Sequence, residues 1–381
     1  MTGGLDEAIS IDDLVPLARR RLPRFLFDYI HRGSGDEATL RRNRQVLERW
    51  RFRPRTLVNV AKRDQSVALL GAKAASPMIV GPTGLTGLFR PQGELLMAKA
   101  AAKAGLPFAL STASLTSIET VAKEAPGRLW FQAYIFRERQ VSEALIRRAR
   151  DAGYEALVIT SDFQVPGKRE FDWRNGLARP EGLSLASKLD ILRHPRWIVD
   201  VIRSGGPHFV NVEAEIGPSR DAKAYVANEI DPALCWDDIK RYRDAWPRKL
   251  LVKGILRADD AAKAVALGVN GVVLSNHGGR QLDSALSAID ALPEVAREIG
   301  DKASLIVDGG IRRGGDVIKA RCLGAEAVIL GRAPLYGLVA GGERGTSRAL
   351  AILKDEIDRD LALLGCPDFS HVGPDLLVGT D

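Results

Sequence analysis

The chain has 381 residues, 45% of them hydrophobic and 27% charged, with a net charge of +7. That length allows one large α/β domain or two ordinary ones with ample core, and no charge-free apolar run of about 18 residues suggests a spanning helix. Arginines crowd positions 41, 42, 44, 51, 53 and 55 without any nucleic-acid-binding signature, so internal ion pairs or a solvated helix face are expected and no nucleic-acid partner is.

Taken in chain order, residues 1–7 lack the basic start and apolar block of a signal peptide. A helical segment is expected before residue 76. From there, strand-like apolar runs alternate with helix-like stretches. The strand candidates are 77–80, 108–111, 129–134, 156–160, 250–253, 271–274, 305–308 and 327–331. Helical patterns at 93–104, 141–152 and 258–267 each end at a glycine. Eight strands alternating with helices, and apolar on nearly every residue, predict a closed parallel (β/α)8 TIM barrel over about 76–340. An open doubly wound sheet fits less well, because no Gly-x-Gly-x-x-Gly follows the first strand. The whole chain, 1–381, reads as a single domain.

The spacing breaks once, after the fourth strand, where roughly ninety residues precede the fifth; loops of that length are usually functional or disordered. This insert, about 170–235, is expected to be a helical lid over the active-site end. Its apolar residues, mixed with Lys188, Arg193, Arg196 and Arg203, also permit an amphipathic helix that touches a membrane surface. Cys235, Cys322 and Cys366 are scattered and odd in number. They form neither a disulfide framework nor a metal-ligand cluster, and fit a reducing cytoplasm.

The chemistry concentrates in Ser275-Asn276-His277-Gly278-Gly279-Arg280-Gln281-Leu282-Asp283, directly after the sixth strand candidate. Imidazole titrates near neutrality and can take a proton, while guanidinium grips a carboxylate with two parallel bonds. At a barrel's carboxyl end this pair predicts a substrate whose reacting carbon adjoins a carboxylate, a 2-hydroxy acid or something close to it. Asp308-Gly309-Gly310-Ile311-Arg312-Arg313-Gly314 and Gly331-Arg332 follow strands seven and eight, where barrels often bind phosphate. Lys253, at the end of strand five, is either paired with a carboxylate or held beside an electron-rich ligand; the ligand is the favoured reading.

Ser275 to Asp283 resembles the signature of the FMN-dependent 2-hydroxy-acid dehydrogenases and oxidases. The resemblance runs from Leu22-Pro23 and Phe27-Asp28-Tyr29, through Gly81-Pro82-Thr83-Gly84, Phe131-Gln132-Ala133-Tyr134 and Leu251-Val252-Lys253-Gly254, to Gly365-Cys366-Pro367-Asp368. It implies His277 as the base and Asp162 as the carboxylate that raises its basicity. It further implies Arg169 and Arg280 on the substrate carboxylate, and Tyr29 and Tyr134 on the carboxylate and hydroxyl. FMN is the implied cofactor, with Pro82, Thr83 and Gly84 against its ring and Ser111, Gln132 and Thr160 at its edge. Lys253 is implied beside the pyrimidine end, and Ser275 also in the cofactor site. Asp308, Gly310, Arg312, Gly331 and Arg332 are implied at the ribityl chain and phosphate.

Glycolate oxidases carry a tryptophan where this chain has Ala113 and an alanine where it has Gly84, both at the active-site mouth. The mandelate dehydrogenase branch shares both features, which points to an (S)-2-hydroxy acid with an aryl group. L-lactate dehydrogenation, or oxidation with O2, is the alternative. The stretch Val165-Pro166-Gly167-Lys168 departs from the glycolate oxidase version. The resemblance also implies a homotetramer and a quinone, another acceptor or O2 as electron sink. The expected location is the cytoplasm, or the inner face of the membrane if the insert meets lipid.

Overall fold

The computed structural model describes residues 4–177 and 182–379. Eight parallel strands close a barrel: β1 (Met78–Val80), β2 (Phe108–Ser111), β3 (Leu129–Ala133), β4 (Ala156–Thr160), β5 (Lys249–Ile255), β6 (Gly271–Leu274), β7 (Ser304–Asp308) and β8 (Ala327–Leu330), with β8 pairing back onto β1. The (β/α)8 barrel expected from the alternation of runs is therefore present. Successive strand residues point to opposite faces. One series, including Ile79, Ala109, Trp130, Val158, Leu251, Val273, Ile306 and Ile329, fills the interior. The other, including Val80, Leu110, Phe131, Ile159 and Val252, packs outward into the larger core with the surrounding helices. A hairpin of Val67–Leu69 and Ala72–Ala74 sends Leu69, Leu70 and Ala74 into the interior cluster and closes the barrel's amino end.

Three helices precede the barrel, Ile11–Arg21, Arg24–His31 and Ala38–Glu48. Ser10 caps the first by accepting from the Asp13 N–H. Three arginines of the rich stretch make ion pairs, and Arg41 and Arg53 donate to backbone carbonyls. Arg42 meets both oxygens of Asp290 at 3.0 Å, Arg44 lies 2.6 Å from Asp316, and Arg55 lies 2.7 Å from Asp375.

The helical stretch that follows β8 starts at Arg332, breaks from helical geometry at Gly341 and Gly342, and continues as a second helical half to Leu364. The barrel boundary expected at about 340 falls beside this kink. The break lets the two halves cross closely: a Cβ on Gly345 would fall 1.9 Å from the Gly337 carbonyl oxygen.

Between β4 and the helix Trp236–Ala245 lie five short helices: Glu170–Arg174, Leu185–Ile191, Pro195–Arg203, Val210–Ile216 and Ala222–Asn228. Residues 178–181 of the insert lie outside the described residues. Trp197 is buried and its indole N–H donates to the Leu88 carbonyl at 2.9 Å; Phe209 and Tyr225 are buried too. The insert thus covers protein, as a lid would. Yet Leu185, Leu189, Leu192, Val199 and Ile202 are exposed, Leu185 by 79% and Ile202 by 72%. Among the described residues no helix is long and apolar enough to cross a membrane.

Gly345→Ala should lower stability by about 1–3 kcal/mol, the usual cost of forcing a methyl group into a filled contact. A fall in the thermal midpoint of the purified protein checks this, and an unchanged midpoint would mean that the two helix halves can separate freely.

Candidate active site

The inward series of each strand continues past the packed interior, and there it turns polar. Two residues beyond Ala109 stands Ser111; beyond Trp130, Gln132 and then Tyr134; beyond Val158, Thr160 and then Asp162. Leu251 is followed by Lys253, Val273 by Ser275 and His277, Ile306 by Asp308, and Ile329 by Gly331. The residues expected to carry chemistry therefore share the carboxyl end of the barrel, where they border a cavity of about 520 Å³, within the usual range for ligand sites. Tyr29, Pro82, Thr83, Gly84, Ala113 and Arg169 line it as well. Gln132, Thr160, Ser275 and Asp162 stand behind the lining. Ser111 Oγ donates to Gln132 Oε1 at 3.1 Å, and Gln132 Nε2 donates to Thr160 Oγ1 at 3.0 Å.

His277 sits in left-handed backbone, with φ of 59°, followed by Gly278 at 66° and Gly279 at 74°. Such a conformation in a non-glycine residue is costly and persists where the surroundings enforce it. Here the His277 N–H donates to Ser275 Oγ at 2.9 Å, and the Gly279 N–H to Asn276 Oδ1 at 3.0 Å. A Cβ on Gly279 would meet the Leu40 backbone at 2.7 Å, so only glycine fits there.

The imidazole Nδ1 lies 3.0 Å from Asp162 Oδ1, which assigns Nδ1 the proton and leaves Nε2 as acceptor, 3.4 Å from the Tyr134 hydroxyl. Burial lowers the His277 pKa, Asp162 opposes this, and Lys253 lowers it further. The net direction is downward: Asp162 pulls the value up, as an adjacent carboxylate does, and burial outweighs it. Burial would raise the Asp162 pKa, but His277 and Lys253 hold it below the ordinary carboxylate value.

Lys253 corrects one expectation. It is paired with a carboxylate and also lines the cavity, so the two readings were not exclusive. Its Nζ is 3.0 Å from Asp308 Oδ2 and donates to Ser275 Oγ at 2.9 Å, and Ser275 Oγ donates to the same carboxylate at 2.9 Å. Burial acts against the lysine's charge, and Asp308 and Asp162 together raise its pKa above normal.

Two guanidinium groups flank the Tyr29 ring, Arg280 at 4.8 Å and Arg169 at 5.4 Å from its centre. Burial and then Arg169 push the Arg280 pKa down. Buried like charges this close call for an anion between them. One arm of Arg280 is already committed, since Nη1 donates to the carbonyls of Tyr29 and Arg32. Arg169 Nε pairs with Asp172 at 3.4 Å.

At the far end of the cavity Gly310 packs against Asn43, whose carbonyl oxygen a Cβ would approach to 2.1 Å; a Cβ on Gly331 would meet nothing within 4 Å. The helix Arg332–Leu364 begins there, and free N–H groups at a helix start suit a phosphate. Arg312 stacks over Tyr336 at 5.1 Å. Arg332 lines the cavity too, and its Nε, Nη1 and Nη2 donate to the backbone carbonyls of Ile30, Gly278 and Arg32. A lysine at one end, open glycine and a helix start at the other, and polar side chains between them fit an elongated flavin mononucleotide.

Sequence reasoning missed several residues. Phe163 packs between Tyr134 and His277, with ring centres 4.9 and 5.6 Å away; only its place beside Asp162 hinted at it. Asp172 had no motif of its own. Asn43 and Asn276 exchange amide bonds of 2.9 and 2.8 Å, which lock the His277 loop to the helix Ala38–Glu48. Leu177, Phe209, Val226 and Ile230 give the cavity an apolar wall from the insert, and nothing in their spacing marked them.

The chain is similar to known proteins. The sequence profile described as FMN-dependent dehydrogenase matches residues 18–379. The chain is 43% identical to the (S)-mandelate dehydrogenase of Pseudomonas putida over 97% of its own length and 93% of that protein's. It is 40% identical to the L-lactate oxidase of Nostoc sp., covering 98% and 99%. A crystal structure described as monotopic membrane protein (S)-mandelate dehydrogenase superposes with a TM-score of 0.93 at 42% identity, covering 98% of this chain and 100% of the other. The His277 loop, the cation-lined cavity and the barrel that holds them therefore place this chain in the FMN-dependent dehydrogenase family, whose members act on 2-hydroxy acids.

Proposed function

We propose that the protein oxidises an (S)-2-hydroxy acid to the 2-oxo acid and prefers an aryl substrate such as (S)-mandelate. The observation that carries the substrate preference is the facing pair Gly84 and Ala113: a Cβ on Gly84 would lie 3.0 Å from that of Ala113. Small side chains at both positions leave space beside the apolar wall of the insert. Arg169 and the free edge of Arg280 hold the carboxylate, with Tyr29 beside them. His277 Nε2 takes a proton from the substrate, and Asp162 stabilises the imidazolium that results. The Tyr134 hydroxyl orients the substrate hydroxyl. When bound, FMN supplies the two-electron acceptor. Lys253 and Ser275 hold its pyrimidine end, with Ser111, Gln132 and Thr160 along the edge and Pro82, Thr83 and Gly84 on the ring. Gly310, Arg312 and Gly331 hold the phosphate end.

The chain acts as a single domain and assembles as a homotetramer in this reading. Exposed Leu185, Leu189, Leu192, Val199 and Ile202, next to Lys188, Arg193, Arg196 and Arg203, form a surface for peripheral contact with anionic lipid at the inner face of the membrane. The structural relative named above is itself monotopic. A protein seated there has a lipid-soluble quinone within reach, which favours dehydrogenase over oxidase behaviour. The second reading, oxidation of lactate with O2, draws on the similarity to a lactate oxidase.

Lost base strength should show first in His277→Asn, chosen because asparagine tolerates the left-handed backbone. Flavin reduction should slow by about 10²–10⁴-fold with FMN retained. In the parent, kcat/KM should fall as pH drops through the His277 pKa, and that acid limb should lie below the ordinary histidine value of 6.5. A variant reduced at the parent rate, or a limb above neutrality, contradicts the assignment.

The pocket is tested by a substrate panel. Burying an aryl ring contributes about 1.5–3 kcal/mol, or about one to two decades, so kcat/KM for mandelate should exceed that for lactate and glycolate by this order. Ala113→Trp should reduce activity on mandelate far more than on lactate. Equal values in the parent, or a preference for glycolate, refute the aryl reading. Reoxidation of the reduced protein by a quinone faster than by air separates dehydrogenase from oxidase.

Co-sedimentation with vesicles of anionic lipid should be lost when Leu185, Leu189 and Ile202 are replaced by serine, while flavin reduction persists. Retained binding in that triple variant rules out these helices as the lipid contact.

A further inference from the structure

We infer that Glu94 is a positioning residue for substrate selection: its buried carboxylate bolts the segment after β1, which carries Gly84, to the segment after β2, which carries Ala113, and so fixes the gap between them. The inference deepens the reading above, on which it rests, that this gap receives the substrate's aryl group. Glu94 lies in the first turn of the helix Gly93–Lys103 and is 1% exposed. Its Oε1 accepts from the Gly87 N–H at 3.2 Å and from the Leu115 N–H at 3.1 Å, and its Oε2 accepts from the Thr116 hydroxyl at 3.1 Å. One side chain therefore holds the first segment at one point and the second at two. All three donors are neutral. A carboxylate kept out of water by such partners is costly, and the positive end of its helix offsets only part of that cost. What it secures is geometry.

The two segments also touch directly, at a single backbone bond beside the facing pair: the Leu85 N–H donates to the Ala113 carbonyl at 3.0 Å. One bond acts as a pivot. The Glu94 carboxylate grips each segment two residues further on, at Gly87 and Leu115, and fixes the angle. The approach there is close, since a Cβ on Gly87 would fall 3.0 Å from that of Leu115 and 3.3 Å from Glu94 Oε2. The same network reaches the insert. Buried Asn211 donates from Nδ2 to the Thr116 carbonyl at 3.0 Å and accepts at Oδ1 from the Ile118 N–H at 3.0 Å. It stands two residues after Phe209, which lines the cavity. Glu94, Thr116 and Asn211 thus join three walls of the Gly84–Ala113 gap, the two segments and the insert. Glu94 itself stands behind the lining, so its influence passes through the backbone it holds.

The test uses FMN-loaded Glu94→Ala, Thr116→Val and Glu94→Gln, and reads the binding of phenylacetate and of acetate from the perturbed flavin spectrum. Both acids offer a carboxylate, and only phenylacetate offers a ring. Glu94→Ala should weaken phenylacetate about ten-fold, the order that a small misfit in an apolar pocket costs, and leave acetate within about two-fold of the parent. Thr116→Val, which removes only the hydroxyl bond, should show a smaller loss of the same kind. Glu94→Gln should bind both acids as the parent does, because its amide oxygen can accept both N–H groups while its NH2 donates to the Thr116 hydroxyl. In turnover, the Glu94→Ala loss should fall on KM for an aryl 2-hydroxy acid more than on kcat, since no reacting group moves. Parent-like phenylacetate binding in both Glu94→Ala and Thr116→Val overturns the inference, and so does equal weakening of the two acids. A Glu94→Gln variant as impaired as Glu94→Ala also overturns it, because charge and not bonding would then matter. If Glu94→Ala does not fold, Thr116→Val set against Glu94→Gln decides. A parent that binds phenylacetate but is reduced by no 2-hydroxy acid defeats the functional reading alone, because the binding comparison still decides the role of Glu94.

Discussion

Closure of the barrel is the constraint from which the site follows. Eight short strands, each with a side-chain period of two, must point every second residue into one shared interior. Ile79, Trp130, Leu251 and Ile329 can fill that interior because the hairpin at Val67–Ala74 seals one end. At the other end the same inward direction continues with nothing apolar left to meet. Ser111, Gln132, Lys253, Ser275 and Asp308 converge there because the strands oblige them to, and their mutual hydrogen bonds make convergence tolerable. An isolated lysine in that position would lose its charge to burial; between Asp308 and Asp162 it keeps it.

The electrostatic arrangement has a consistent sense. Cations face the cavity and carboxylates stand beside or behind them: Asp172 beside Arg169, Asp308 beside Lys253, Asp162 behind His277. A cavity built this way favours anions, while Arg169 and Lys253 each keep a carboxylate beside them. The histidine is the exception by design of its surroundings. Burial keeps it neutral at rest, while Asp162 waits on the far side of the ring to stabilise the charge it acquires. A base needs both conditions, and a permanent cation would satisfy neither.

Much of this was legible in the sequence because polar residues at the ends of apolar runs are conspicuous. Lys253 after Leu250-Leu251-Val252 and Asp308 after Leu305-Ile306-Val307 announce themselves, and so do His277 and Arg280 among glycines. The in–out alternation was not legible, because both faces of each strand are covered and both series are apolar. The insert walls were hidden as well: Phe209, Val226 and Ile230 reach the cavity through a chain path with no period to betray it.

The insert divides its surfaces between different helices. The exposed apolar side chains sit on Leu185–Ile191 and Pro195–Arg203, with Leu192 between them, whereas the cavity wall comes from Leu177 before them and from Phe209, Val226 and Ile230 after them. Trp197 anchors the first group to the barrel through the Leu88 carbonyl, at a point of its own. Exposed apolar surface and cavity wall thus use different residues of one loop, so a substitution on the outer helices leaves the cavity lining untouched, and one in the lining leaves the outer surface as it was.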